Sequence, residues 1–381
     1  MTTKSLAGML VLLTAAFTTV HATELSPSTG IFFTGTAGLK YDSNIFLTNT
    51  NTKSSGVFEI IPGVELNMGS GSMTKNVFVL SEDFVSYLSA SDQNTNLTNA
   101  QYDLGYSDDK LRFALDAGFH QLSQNNRDTH LVGHILQTDI TNITPELEFE
   151  ISPKSAIAVG VDYENYRYDL TGYANRSSVA LPLDAYFEVV PKVQASVGYR
   201  YRSNSVGAPG LDSNDNYFSV GARGDFDPLL KGSFSVGYNQ RKIKAGTVNS
   251  VYQASRTESG IGATAKLEYL YSDKTTVQFT VRNDFSNAAT GESQKVFEGG
   301  VGLASAMSSV LTADASVFIG NYKYVSMTRR DDYYRLQTGV TYSYNTHVKC
   351  SATYSYQDNS SNISNLSFTE NLFGVSLAVR F

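Results

Sequence analysis

Asn371-Leu-Phe-Gly-Val-Ser-Leu-Ala-Val-Arg-Phe381 ends the chain in one unbroken two-residue alternation. In an extended strand successive side chains leave opposite faces. Phe373, Val375, Leu377, Val379 and Phe381 therefore share one face, and Leu372, Gly374, Ser376, Ala378 and Arg380 the other. The first face is wholly apolar and must be covered, by a protein core or by lipid.

The start of the chain indicates which. Lys4 precedes an apolar stretch, Leu6 to Val20, and Val20-His21-Ala22 puts small residues at −3 and −1 of a cleavage site after Ala22. This is the pattern of a cleaved signal peptide over residues 1–22, and no charged stop-transfer flank follows it. No cysteine follows either, which argues against a lipid anchor. An exported chain ending on an apolar strand with a terminal Phe has the form of a bacterial outer-membrane barrel. Its last strand is the expected insertion signal, with outer-membrane lipid and the barrel assembly machinery as expected partners.

Bulk composition agrees. Of 381 residues, 24 are Tyr, 21 Phe and 30 Gly but only 8 Pro, which suits strands. Trp is absent, so an interfacial aromatic girdle would be built from Tyr and Phe. The hydrophobic fraction is 41% and mean hydropathy −0.20; a membrane barrel has such values because only alternate residues meet lipid. Net charge is −7, falling to −8 when Lys4 leaves, with no basic block for nucleic acid. The single cysteine, Cys350, excludes a disulfide scaffold. It reads as a small hydrophobe beside Val348 and Ala352.

The alternation recurs along the chain. Leu111, Phe113, Leu115, Ala117 and Phe119 alternate with Arg112, Ala114, Asp116, Gly118 and His120. Val193 to Tyr201 alternates in the same way with Gln194, Ser196, Gly198, Arg200 and Arg202. Short polar breaks fall at Gly69-Ser70-Gly71, Asp108-Asp109, Ser152-Pro153-Lys154, Pro191-Lys192, Asp227-Pro228, Ser272-Asp273-Lys274, Ala306-Met307-Ser308 and Asn345-Thr346. Longer Asn-, Ser-, Asp- and Thr-rich stretches lie between them, as in Thr48–Ser55, Ser89–Asn99, Ser203–Asn216, Ala245–Ser255 and Gln357–Ser364. Eight short turns and nine long loops predict eighteen strands, with sixteen as the fallback. The class is all-β: one transmembrane antiparallel barrel over residues 31–381, with short periplasmic turns and long extracellular loops. Residues 23–30 are left as a short periplasmic tail. A β-propeller also repeats about every 40 residues, but it needs four strands per repeat where this chain offers two.

The face opposite the apolar one takes the charges. On this register the lumen receives Arg112, Asp116, Glu146, Glu148, Glu150, Asp184, Glu188, Arg200, Arg202, Arg223, Lys266, Arg282 and Arg335. It also receives Asp162, Glu164, Asp225, Arg241, Glu268, Asp284 and Lys349. They line a polar pore or pair with one another to stiffen the wall. Asp128, His130 and His134 could suggest a metal cluster, but they fall in one loop with no complementary group elsewhere. Leu211-Asp-Ser-Asn-Asp-Asn216 lacks the glycine and glutamate of a calcium loop. No nucleophile elbow is present. The expectation is no enzyme, no cofactor and no metal.

One segment is more specific. Tyr41-Asp42-Ser43-Asn44-Ile45-Phe46 is followed after a polar loop by Pro62-Gly63. This resembles the putative β-barrel porin 2 family, whose first strand ends in a Tyr-Asp-x-Asn-hydrophobe-aromatic pattern and whose second carries Pro-Gly. Tyr41, Asp42, Asn44, Ile45 and Phe46 match the first element, and Pro62 and Gly63 the second; Leu47 replaces the usual basic residue. The motif reads as a structural strand exit, with Asp42 and Asn44 in an Asx-type turn. The resemblance implies an outer-membrane conduit associated with exopolysaccharide export, with polysaccharide and other secretion-locus proteins as partners. The alternatives are a general or solute-specific diffusion porin for small polar molecules, and a structural or adhesive barrel without flux.

Overall fold

The computed structural model describes residues 23–26, 28–129, 133–248 and 250–381; the expected signal peptide, residues 1–22, lies outside them. Eighteen antiparallel strands close into one barrel. The first half comprises β1 (Thr29–Asp42), β2 (Ser55–Met68), β3 (Thr74–Tyr87), β4 (Thr95–Ser107), β5 (Leu111–Ser123), β6 (Gln137–Ser152), β7 (Ser155–Gly160 and Asp162–Tyr168), β8 (Arg176–Val190) and β9 (Val193–Val206). The second comprises β10 (Ser213–Asp227), β11 (Leu230–Ile243), β12 (Arg256–Ser272), β13 (Thr275–Asn287), β14 (Ser293–Ala306), β15 (Leu311–Tyr324), β16 (Arg330–Ser343), β17 (Val348–Ser361) and β18 (Phe368–Arg380). All eight predicted short turns lie between strands at one end. Reading that end as periplasmic follows the usual asymmetry of such barrels. The barrel begins two residues before the expected Ile31, and Thr23–Ser26 pairs along the start of β1.

The strands run to 13–17 residues where unbroken, longer than the ~9–11 a tilted strand needs to cross a bilayer. Closure is made by β1 against β18, from Thr34↔Arg380 to Asp42↔Leu372. Phe381 adds two backbone hydrogen bonds with Phe33, of 2.8 and 2.9 Å, and its ring stacks on His347 of the last short turn at 5.3 Å. Arg380 lies on the lumenal side of the same seam, where it pairs with Glu65 of β2 at 2.9 Å and covers the Phe32 ring at 3.6 Å.

The two faces separate as the alternation requires. Val197, Phe218, Val220, Phe373 and Val375 are each 57–60% exposed on the outer face. A continuous apolar belt of that kind calls for lipid. Tyr41 stands exposed at the outer rim, and Tyr271, Tyr342 and Tyr344 at the inner, which gives the Tyr-based girdle. Two prolines interrupt the wall. The β2–β3 ladder skips from Ile60↔Phe84 to Gly63↔Ser81 around Pro62, which has no N–H to give. Pro145 of β6 lies beside the break in β7, where the Val161 N–H reaches the Pro145 carbonyl at 3.0 Å. Gly63 is a close-approach site: a Cβ there would meet Thr34 Oγ1 at 2.7 Å and the Leu80 carbonyl at 3.0 Å.

The facing of β14 can be tested directly. Val301 is 47% exposed on the outer face. Gly302 faces the lumen, where a Cβ would meet only Ser316, at 3.9 Å. Val301→Arg should destabilise the barrel by about 2–4 kcal/mol, and Gly302→Arg by under about 1 kcal/mol. Denaturant titration followed by the mobility shift of the folded barrel in gels measures both. Equal costs, or a reversed order, would sink the assignment of faces.

Candidate functional site

The lumen is where the long loops meet. At the end of β1 the Asp42 carboxylate accepts the Asn44 backbone N–H at 2.7 Å, the Asx-type turn expected from the motif. Asn44, 1% exposed, donates through Nδ2 to the carbonyls of Thr48 and Thr369, both at 2.9 Å, and accepts the Thr48 N–H. The first outer loop, 43–54, is thereby folded inward. Ile45 and Phe46 bury against Val57, Val85, Tyr87 and Ile135 in a small apolar core inside the barrel's outer end. The motif's aliphatic and aromatic residues thus pack an in-folded loop.

In the third outer loop, residues 124–129 reach across the lumen. Its base is pinned by Asn125, whose side chain bonds the His134 carbonyl and the Leu136 N–H. Its tip carries Arg127 to the far wall. There the guanidinium covers the Tyr322 ring at 3.5 Å and donates to the Tyr324 hydroxyl at 2.9 Å and to Asp331 at 3.3 Å. Arg329 closes the latch, donating to Asp331 at 2.6 Å and to the Arg127 carbonyl at 3.1 Å. Burial raises the Asp128 pKa, but Arg127, the Tyr324 hydroxyl and Arg329 together outweigh it and hold the carboxyl below the usual carboxylate range. Asp128 therefore faces Arg127 and Tyr324, and His134 lies 3.9 Å from Asp169. His130 is outside the described residues, and no metal-binding group forms among those described.

A second network fills the other side. Arg241 and Asp215, both fully buried, pair at 2.6 Å. Arg202 joins Asp215 at 2.6 Å and Asp284 at 3.2 Å, and Arg200 joins Asp284 at 2.9 Å. These bonds tie the outer end of β13 to β9–β11. The β12–β13 ladder stops at Ala263↔Asn283, and the outer part of β12, Arg256 to Gly262, pairs with β11 alone. Above this, the Ala174 N–H reaches the Ala289 carbonyl at 2.7 Å, which joins the fourth and seventh outer loops. Gly291, with φ +86°, lies so close to Gly210 that a Cβ would sit 2.7 Å from its Cα. The calcium-like Asp215 spends both oxygens on arginines.

What remains open is a chamber of about 500 Å³ in the outer half and a wider cavity of about 790 Å³ in the inner half. Each is lined by five cationic and three acidic side chains. At the inner cavity Arg223 of β10 makes a bidentate pair with Glu148 of β6, both bonds 2.8 Å, and stacks on Tyr186 at 3.4 Å.

Arg202, Arg282 and Arg335 line the outer chamber; Arg112, Glu188, Arg223 and Lys266 line the inner cavity. Asp116 and Glu146 sit on the β5–β6 wall, Glu150 is at the inner rim, and Asp184 lies against Gly198. Arg200 and Arg202 are not free pore charges, since Asp284 and Asp215 neutralise them. Sequence reading missed Arg127, Arg176, Arg329 and Asp331 as lumenal groups; the charge doublet Arg329-Arg330-Asp331-Asp332 was the one available signal.

This geometry defines the class: a porin-like outer-membrane β-barrel. Residues 199–381, just under half the chain, match the family model described as Putative beta-barrel porin 2. This is the family that Tyr41–Phe46 and Pro62-Gly63 resemble, and the match lies outside those residues. No curated protein matches the chain. Among solved structures, OpdK of Pseudomonas aeruginosa with vanillate aligns with a TM-score of 0.50 at 9% identity, over 92% of this chain and 99% of its own. OccK2 (OpdF) of the same organism gives 0.48 at 8% identity, over 93% and 98%. The FrpB iron transporter of Neisseria meningitidis (F3-3 variant) gives 0.48 at 10%, over 88% of this chain and 62% of its own, so this chain spans about three fifths of that transporter. The OpdK alignment bears on the fold alone.

Asp331→Asn should free the third loop, because it leaves the buried Arg329 without its carboxylate and Arg127 with Asp128 alone, a loss of about 3–5 kcal/mol. Trypsin should then cut after Arg127 in a barrel that still migrates as folded; continued protection would contradict the latch. The depressed Asp128 pKa also sets a pH window. Its contribution is fully present above the unfolded value near 4 and is lost as pH falls through the lower folded value. Hydrogen exchange across 124–129 should therefore stay slow down to about pH 4 and rise only below it.

Proposed function

We propose that this barrel is an outer-membrane diffusion channel for small polar solutes, with the outer chamber as its selectivity region. The carrying observation is the loop latched across the lumen by Arg127, Asp331 and Arg329, which leaves a chamber of about 500 Å³. That volume is in the range of small-molecule sites. OpdK, a barrel of the same fold, was solved with a small molecule, vanillate. The chain reaches the membrane by a cleaved signal peptide over residues 1–22 and is inserted through its terminal strand by the barrel assembly machinery. The exopolysaccharide conduit implied by the family resemblance gains no support from this geometry. The outer half is occupied by in-folded loops and paired charges rather than left as a polymer-wide bore.

Purified protein in planar bilayers should give steady ion conductance, and proteoliposomes should swell in monosaccharides but not in dextran. Arg127→Ala, which unlatches the loop, should raise conductance about twofold or more by widening the lumen. A barrel that never conducts, or an Arg127→Ala variant with unchanged conductance, would refute the channel or the latch respectively.

A further inference from the structure

The ion pairs divide the arginines of the outer chamber unequally. Arg127 is held by Asp128 and Asp331, Arg202 by Asp215 and Asp284, and Arg282 by Glu298 at 3.5 Å. Arg176 and Arg335 have no carboxylate at ion-pair distance among the described residues. Arg176 lies over the Tyr166 ring at 4.2 Å and caps the Asn287 carbonyl. Arg335 lies 5.4 Å from the centre of the Phe318 ring, and its Nε is buried without a hydrogen-bond partner. A guanidinium carries five N–H donors in a planar fork suited to a carboxylate, and a buried donor left unmade costs stability. Acidic partners were within reach of the fold. Glu164 faces the same chamber two rungs from Arg176 in the β7–β8 ladder, yet forms no ion pair with it. Both arginines line the open chamber together with Tyr166, Phe318 and Tyr333.

We propose that the outer chamber binds a small organic anion, whose carboxylate supplies the acidic partner that Arg335 and Arg176 lack. Phe318 and Tyr333, in edge contact at 6.0 Å, offer a wall for its apolar body. The proposal rests on reading the barrel as a channel. It concerns this chamber and not bulk ion selectivity, because the β3–β6 wall carries Asp103, Asp116 and Glu146 around Lys75.

Benzoate and benzamide, alike in shape and different in charge, are the probes. In bilayers carrying wild-type protein, benzoate should interrupt the current at about tenfold lower concentration than benzamide. Arg335→Gln and Arg176→Gln should each weaken that block about tenfold, the scale of one charge-assisted hydrogen bond. Benzamide block should stay as in wild type, and an unchanged mobility shift of the folded barrel in gels reports an intact fold. Equal block by both probes, or benzoate block unchanged in both variants, overturns the proposal. If wild-type protein carries no current, the channel reading fails by itself. Calorimetric binding of the same two probes to the detergent-solubilised barrel then decides the site: preferential benzoate binding lost in Arg335→Gln sustains it, and no preference overturns it.

Discussion

Inside a bilayer no water is available to satisfy backbone N–H and C=O groups, so each must be paired within the protein. That constraint forces the first strand onto the last. The pairing of β1 with β18, from Thr34↔Arg380 to Asp42↔Leu372, removes the two free edges that eighteen strands would otherwise leave. The carboxy-terminal Phe381 extends the seam by two backbone bonds, while Arg380 and Glu65 lock it from the lumen side. Everything else in the molecule is arranged around a wall that has to close.

Closure at eighteen strands creates a second requirement. A ring of this size is wide enough to leave an aqueous channel, and its outer half is instead filled. The filling takes two chemically distinct forms. Near β2–β4 it is an apolar core of in-folded loop residues, Ile45 and Phe46 with Val85 and Ile135. Across β9–β16 it is a set of buried ion pairs in which Asp215, Asp284 and Asp331 each serve two or more guanidiniums. A buried pair gains little net stability once desolvation is counted, but breaking one is expensive. Such pairs therefore hold geometry better than they hold the fold together, which suits a lumen that must keep a fixed cross-section.

The fold was legible because its rule is local. Alternation in stretches such as Leu111–Phe119 and Val193–Tyr201 reports which side meets lipid, and Asp227-Pro228 or Ser272-Asp273-Lys274 reports where the chain reverses. Counting turns then gives the strand number without any tertiary information. The same parity placed Arg112, Glu148, Arg223 and Arg335 in the lumen. What parity cannot report is whether a lumenal charge is free, since Arg223 and Glu148 lie four strands apart and Arg127 meets Asp331 across 204 residues of sequence. The inward fold of loop segment 124–129 was invisible for a related reason. Its polar composition suits an exposed loop equally well, and only the far wall, with Tyr322, Tyr324 and Arg329, gives Arg127 a reason to turn in.

The placement of charge around the wall then gives the lumen a direction across its axis. Acidic residues are in excess on β4–β6, with Asp103, Asp116, Glu146, Glu148 and Glu150 against Arg112, and basic ones are in excess on β9–β12, where Arg200, Arg202, Arg223, Lys231, Arg241 and Lys266 are interleaved with Asp215, Asp225 and Glu268. Where these arcs meet across the inner half, the Arg223–Glu148 bridge spans the chord between them. Opposed charge on low-dielectric walls produces a field across the passage that orients a dipolar solute and penalises one without polar groups. Most of the charged pairs join neighbouring strands, as Arg202–Asp215, Arg241–Asp215 and Lys231–Glu268 do, where holding two side chains together costs least entropy. The Arg223–Glu148 bridge departs from that economy: it crosses four strands and, with Arg127–Asp331, fixes the distance between opposite walls rather than the register of adjacent ones.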